Sequence, residues 1–311
     1  MDDYQYQPLD KTTPSFRLLR LCKGNTMQIK CEIFHASLAD RPGVEYEALS
    51  HAWGYTELVE SIQVNDHRLD VTDSVFSALS CLRYDEQDRV LWVDAICTDQ
   101  TNNLEKSRQV QQMGNIFSSA RRVVIWLGKH IKEARLLMKC LAQAQRQWDL
   151  TVASDNIAWK KGMSDIKLDF RASNEDTLPH HWKGLRSFLK RSWFERVWVI
   201  QKVANSQSAL VQTGTLSVDA HIFALSPTLL DISVEPHVKS VLDIMSRALP
   251  QRNQRDLKKV PLIDLLDKFQ RSKATDTRDK IFALHSLARE PVDHYLSRPD
   301  YTKNLPNVVH D

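Results

Sequence analysis

The chemistry available to this chain is concentrated in a few carboxylates, amides and one cysteine near element ends. Asp94 follows a nearly continuous apolar run over residues 90–93. That places it at the carboxyl edge of a strand, where open α/β sheets bind ligands. It is a candidate for a site, and equally for holding the next loop by hydrogen bonds. Glu105 stands three residues after Asn102 at a helix start. This is the spacing of a capping box, with binding and catalysis as the sharper alternatives. Gln100 and Gln109 are candidates for polar lining. Cys97 with His51 as its base would make a nucleophilic pair, although a cysteine beside an apolar strand normally packs. Ser50 and His51 are adjacent, so a strand turns them to opposite faces and they form no Ser–His pair. Trp53 beside Gly54 ends a strand where glycine permits close approach. Ser50, Trp53, Gly54, Asp94, Gln100 and Gln109 are therefore the cleft candidates.

Composition removes several other chemistries. There are 8 glycines in 311 residues, against roughly 22 at average usage. No two are spaced as G-x-G, which excludes the dinucleotide fingerprint, the phosphate-binding loop and the kinase glycine loop. The G-x-S-x-G elbow is absent too. The 5 cysteines are odd in number and form no C-x-x-C, and the 11 histidines form no H-E-x-x-H. No metal is expected, and His180-His181 is the one adjacent pair. With 42 basic and 39 acidic residues the net charge is +3, too balanced to argue for nucleic acid. No apolar run approaches the ~18 residues of a membrane span. The acidic, polar N-terminus does not read as a signal or transit peptide, and a reducing cytoplasmic location is the simplest reading.

The elements that must position these residues follow from hydrophobic periodicity. Residues 16–21 and 29–34 read as two strands at an edge or in a covering hairpin. Residues 46–54 read as a strand ending in a turn, and 62–71 as a hairpin. A helix follows, capped by Thr72 or Asp73, with Val75, Ala78, Leu79 and Leu82 on its buried face. Residues 90–97 and 123–128 read as strands buried on both faces. Helices over about 103–118 and 131–148 complete a strand–helix alternation, which argues for a parallel sheet flanked by helices. The polar segment at about 150–180 reads as an inserted, exposed loop. Helices at 184–191 and 193–204, a hairpin at 209–218 and a mostly helical remainder follow.

Four segments carry a family resemblance: YEALSHAWG (46–54), LWVDAICTDQTNNLEKSRQVQQMGNIFSSARRVVIWLG (91–128), RSWFERVWVIQKV (191–203) and ATDTRDKIFALHSLA (274–288). In this order they resemble the HET domain, the heterokaryon incompatibility domain of filamentous fungi, over about 46–203, and 274–288 resembles a downstream block common in such proteins. The resemblance implies a role in non-self recognition and regulated cell death. HET domains are in turn distantly similar to Toll/interleukin-receptor (TIR) domains, some of which cleave the nicotinamide–ribose bond of NAD with a glutamate in a W-C-x-x-E pattern. The comparable W-V-x-Q-E of HET domains reads here Trp198-Val199-Ile200-Gln201-Lys202. Lys202 thus stands where the resemblance implies a glutamate. A carboxylate there would oppose developing oxocarbenium charge, and an ammonium has the wrong sign. Glu195, seven residues earlier, would share the helix face but lie ~10 Å away along the axis.

The expectations are these. The fold is α/β, a mainly parallel, flavodoxin/TIR-like sheet flanked by helices, with short N-terminal strands and a helical C-terminal extension. Residues 1–45 pack on a HET domain over 46–205, which carries the insertion at 150–180; 206–311 form the extension. The function is a cytoplasmic signalling or effector module acting through other proteins or self-association, without cofactor or nucleic acid. The alternative is an NAD glycohydrolase-like enzyme, decayed through Lys202, with Glu105 and Asp94 as remaining catalytic candidates and NAD as its cofactor. The chain ends at Asp311 without a closing element, as a piece of a longer protein would.

Overall fold

A computed structural model describes residues 2–40, 43–52, 54, 57–129, 131–154, 175–247, 260–288, 299 and 301. Strands β1 (Ser15–Leu21), β2 (Lys30–Ser37), β3 (Glu47–His51), β4 (Glu60–Val64), β5 (His67–Val71), β6 (Arg89–Trp92), β7 (Arg122–Trp126), β8 (Ala209–Thr213) and β9 (Leu216–Asp219) form one sheet. Its order is β5-β4-β2-β1-β6-β3-β7-β8-β9.

The strands that begin at 47, 89 and 122 are parallel neighbours, with β3 between β6 and β7, and β8 continues the parallel set. Helices between consecutive members make this centre parallel, as the alternation requires. The sheet as a whole is mixed. β1 pairs antiparallel with both β2 and β6, and the β4/β5 and β8/β9 hairpins are antiparallel. The N-terminal strands are therefore neither an edge nor a cover, because β1 lies inside the sheet. Its sequence agrees: Ser15 to Leu19 and Leu21 are all buried. A strand buried on both faces belongs in the interior of a sheet. Edge protection falls instead to the N-terminal residues, where Tyr4 N–H donates to the Arg68 carbonyl on β5 at 2.7 Å.

The helices expected before residue 150 start within a residue of their sequence signals, whereas the one expected at 184–191 begins six residues earlier, at Leu178. Helix α1 (Asp73–Leu82) is capped by Thr72, whose side chain accepts from the Val75 amide, and it buries Val75, Ala78, Leu79 and Leu82. The apolar run at 90–97 is strand only to Trp92; Asp94–Cys97 is a single helical turn, α2. An unbroken apolar run fits a buried strand and a buried turn equally well, and periodicity does not separate them. Here the amides of Ile96 and Cys97 both fold back onto the Val93 carbonyl.

Helix α3 (Asn103–Ser119) is capped by Asn102, whose side chain accepts from the Glu105 amide. Helix α4 (Lys132–Ser154) runs further than the 131–148 expected. Most of the polar segment at 150–180 lies outside the described residues; what is described there is the end of α4, one 3-10 turn and the start of α5 (Leu178–Leu189). The expected helix at 193–204 is two pieces. A 3-10 turn covers Ser192–Glu195, and α6 is Trp198–Ala204. Helices α7 (Ala220–Leu230), α8 (Pro236–Arg247), α9 (Leu262–Lys268) and α10 (Asp279–His285) make the remainder helical. Among the described residues no helix is long and apolar enough to cross a membrane.

Candidate functional site: an ion-paired cleft at the strand ends

β3 and β6 run side by side in the same direction, so the chain leaves both at the same sheet edge. Gly54 follows β3 and Asp94 follows β6, and both line a cleft of about 620 Å³. Gly54 has φ 68°, a left-handed conformation that glycine adopts without the Cβ penalty. Trp53 lies outside the described residues.

Asp94 is the electrostatic centre of the cleft. Lys202 Nζ, on α6, donates to Asp94 Oδ2 at 2.7 Å, and the lysine side chain is only 3% exposed. Asp94 Oδ1 accepts from the Ala95 amide at 2.9 Å, and Gln100 Nε2 donates to the Asp94 carbonyl at 2.9 Å. Burial pushes the Asp94 carboxyl upward, but the adjacent Lys202 charge overcomes it, and the group titrates below its ordinary range. His51 Nδ1 lies 3.8 Å from Asp94 Oδ1, and neither ring nitrogen has a hydrogen-bond partner. Burial drives the His51 pKa down to about 4; Asp94 opposes this, while Lys202 and Arg196 add to it. The imidazole is therefore neutral at physiological pH and forms no ion pair.

A further stretch of lining comes from the segment leading into α10, with Asp276 and Asp279. Arg196 and Trp198 at the start of α6, and Lys106 from α3, complete it. Asp276 is held by Arg278, at 2.5 Å from Nη2. Asp279 accepts from the Tyr301 hydroxyl at 2.6 Å and also from Trp198. Burial pushes the Asp279 carboxyl up, against the pull of those two bonds.

The remaining candidates are placed as follows. Gln100 and Gln109 line the cleft, and Gln109 Nε2 donates to the Ser15 carbonyl at 3.0 Å. Glu105 is not among the lining residues. Arg17, fully buried, binds its two oxygens at 2.6 and 3.0 Å, and the Asp99 amide adds a third bond at 2.8 Å. Asn102 caps α3, but the Glu105 carboxylate closes no capping box. Ser50 is buried and accepts from Trp193 Nε1 at 3.1 Å. Cys97 is a buried thiol, pushed up to about 12 mainly by desolvation, and its sulfur faces the Val93 amide. It supplies no thiolate nucleophile. Glu195 does not share a helix with Lys202; it ends the 3-10 turn and pairs with Lys273 at 2.8 Å. His181 faces Cys140 at 3.4 Å, and among the described residues no cluster of His, Cys, Asp and Glu could hold a metal.

Sequence reasoning missed Lys106, Trp198 and Tyr301 as cleft residues. It drew no site role for Asp276 and Asp279, which also line the cleft. The 274–288 segment had been singled out as a recognisable block, and that was the available signal for this stretch of the lining. Nothing in the sequence connects Tyr301 to a helix almost two hundred residues earlier.

No solved structure matches the chain. One curated relative is "Heterokaryon incompatibility protein 6, OR allele" of Neurospora crassa, 26% identical over 351 aligned positions that take in 96% of this chain and 51% of the relative. The chain thus spans about half the length of the curated relative it matches. The model of the family described as "Heterokaryon incompatibility protein (HET)" matches residues 46–202. That match runs from the residue before β3 to the lysine paired with Asp94 and covers half of the chain, which belongs to the HET family.

Proposed function

We propose that this chain is an effector module of fungal non-self recognition that acts in the cytoplasm through protein association, and does not cleave N-glycosidic bonds. The family membership and the name of the Neurospora relative support the biological role. The absence of catalysis rests on one observation: Lys202 Nζ sits 2.7 Å from Asp94, the carboxylate at the strand ends. Stabilising a developing ribose cation needs a carboxylate whose charge is not already spent. Asp94 is neutralised by a buried ammonium. The two other carboxylates on the cleft wall, Asp276 and Asp279, are engaged by Arg278 and by Tyr301 and Trp198. The cleft in this reading is a binding surface and takes no cofactor.

A second reading, an NAD glycohydrolase-like enzyme, is favoured by the volume of the cleft and by its position at the carboxyl ends of parallel strands. Incubating the purified chain with NAD and following nicotinamide release separates the two. The expected result is release no faster than in buffer, together with growth arrest when the chain is expressed in an incompatible fungal strain. Sustained turnover by the wild-type chain overturns the proposal. Lys202→Glu is a poor companion variant, because it sets a second carboxylate against Asp94 and removes the buried counter-charge. Lys202→Gln frees Asp94 without that clash.

A further inference from the structure

Tyr301 is recognised in a manner unlike the packing of the core. Its side chain is buried, yet it stands outside the contiguous apolar cluster that unites the sheet and helices. Its contacts are mostly polar and come from α3 and from the region of α10. The phenol donates to Asp279 Oδ1 at 2.6 Å. The ring faces two cations, Lys106 Nζ at 4.7 Å and Arg278 Cζ at 5.2 Å from its centroid, and meets Phe282 edge-on.

The backbone is read as well. The Tyr301 amide donates to Ser107 Oγ at 3.2 Å, Arg278 Nη1 donates to the Tyr301 carbonyl at 3.1 Å, and Gln111 Nε2 donates to the Pro299 carbonyl at 3.0 Å. Side chains that satisfy the amide, the carbonyl and the ring of one residue do what a peptide-binding site does. The same tyrosine lines the cleft that holds Asp94.

We propose that this wall of the cleft is a socket for a tyrosine-bearing peptide, which the chain's own Tyr301 occupies in cis. Ring recognition by two cations tolerates any aromatic side chain. The phenol hydrogen bond to a buried carboxylate selects tyrosine over phenylalanine, because a ligand without the hydroxyl leaves Asp279 short of a donor. The cis segment is present at an effective concentration set by its tether, in the millimolar range for short connections. A peptide arriving from another molecule must displace it, which lowers its apparent affinity by the fraction of sockets already filled.

The probe is a fluorescein-labelled peptide covering 297–305, SRPDYTKNL, titrated into the full chain and followed by anisotropy. The expected result is at least ten-fold tighter binding to Tyr301→Ala than to wild type. The same peptide with phenylalanine for tyrosine should bind Tyr301→Ala about ten-fold more weakly, as expected for the loss of a hydrogen bond to a charged group. Equal affinity for wild type and variant, no binding to either, or equal binding of the two peptides overturns the inference. Should thermal melting show that Tyr301→Ala does not fold, Tyr301→Phe replaces it; this variant keeps the ring and loses the phenol bond. The tyrosine peptide should then bind the variant several-fold more tightly than wild type, and equal affinity counts against the socket. Peptide affinity and nicotinamide release are separate readouts, so this inference and the proposed function fail independently.

Discussion

At the residue scale the cleft is organised by one buried ion pair and one buried neutral imidazole. Taking one partner from a buried pair strands the other charge in a low-dielectric surrounding, which costs about 3–5 kcal/mol. Asp94→Asn leaves Lys202 without its counter-charge, so urea denaturation should show a loss of that order. A change within experimental error would show that the pair contributes nothing to folding. His51 gives a pH signature. Its folded pKa is about 4, against an ordinary value of 6.5 in the unfolded chain. Between those values the unfolded state binds more protons, so acid favours unfolding. Stability should fall by roughly 3 kcal/mol as pH drops from 6.5 to 4. Asp94 adds to the loss only from the bottom of this range downward, because a carboxyl with a depressed pKa contributes in full above its unfolded value of about 4 and loses that contribution as pH falls further. Thermal melts of wild type and His51→Phe should diverge across pH 4–6.5, with the variant showing the flatter profile; parallel profiles would exclude His51 as the source.

At the element scale, packing depends on places where two backbones or two charges must meet. Glu47 on β3 stands between Arg89 on β6 and Arg122 on β7 and hydrogen-bonds both. A shift of either neighbour by one residue would turn its arginine to the other face of the sheet. This triad, buried at Glu47 and Arg89 and half-exposed at Arg122, therefore specifies the register of the three parallel strands. Their apolar sequences, buried on both faces, specify it weakly. The α4–α5 contact turns on Gly184. A Cβ there would lie 2.6 Å from the Glu133 carbonyl oxygen, a backbone atom that side-chain rotation cannot move away. Gly184→Ala gains helix propensity, about 1 kcal/mol on an exposed helix. The clash reverses the sign, and a net loss of roughly 1–3 kcal/mol is expected. A calorimetric Tm at or above that of wild type would show that the helices separate without cost.

At the scale of the whole molecule, the sheet draws strands from well outside the segment that identifies the family. β1 fills the place between β2 and β6, and Arg17 on β1 binds Glu105 at the start of α3. A chain beginning at residue 46 keeps every motif of the family match and loses those partners. It exposes the β6 edge and leaves Glu105 without Arg17. Such a chain should lack the cooperative thermal transition of the full chain, as followed by circular dichroism. A cooperative melt at the same temperature would show that the first 45 residues are dispensable to the fold.

The sequence by itself determined the starts of its early helices, the parallel centre of the sheet and the family. Thr72 and Asn102 announced their helices because capping is a contact over three residues. The strand–helix alternation announced a parallel centre because crossovers have one hand. The four blocks announced the HET family. The same local information placed Gly54 and Asp94 at strand ends, where they line the cleft, and Gln100 and Gln109 line it beside them. The tertiary structure alone decided where the charges go. Glu105 looked outward to a site or back to its own cap until Arg17, 88 residues earlier, took both oxygens. Lys202 looked like a missing carboxylate until the fold set it against Asp94, 108 residues away. The insertion of β1 into the sheet and the return of Tyr301 to α3 are of the same kind. Hydrogen bonds and ion pairs form between groups a few ångströms apart in space. Periodicity and capping reach only one or two turns along the chain.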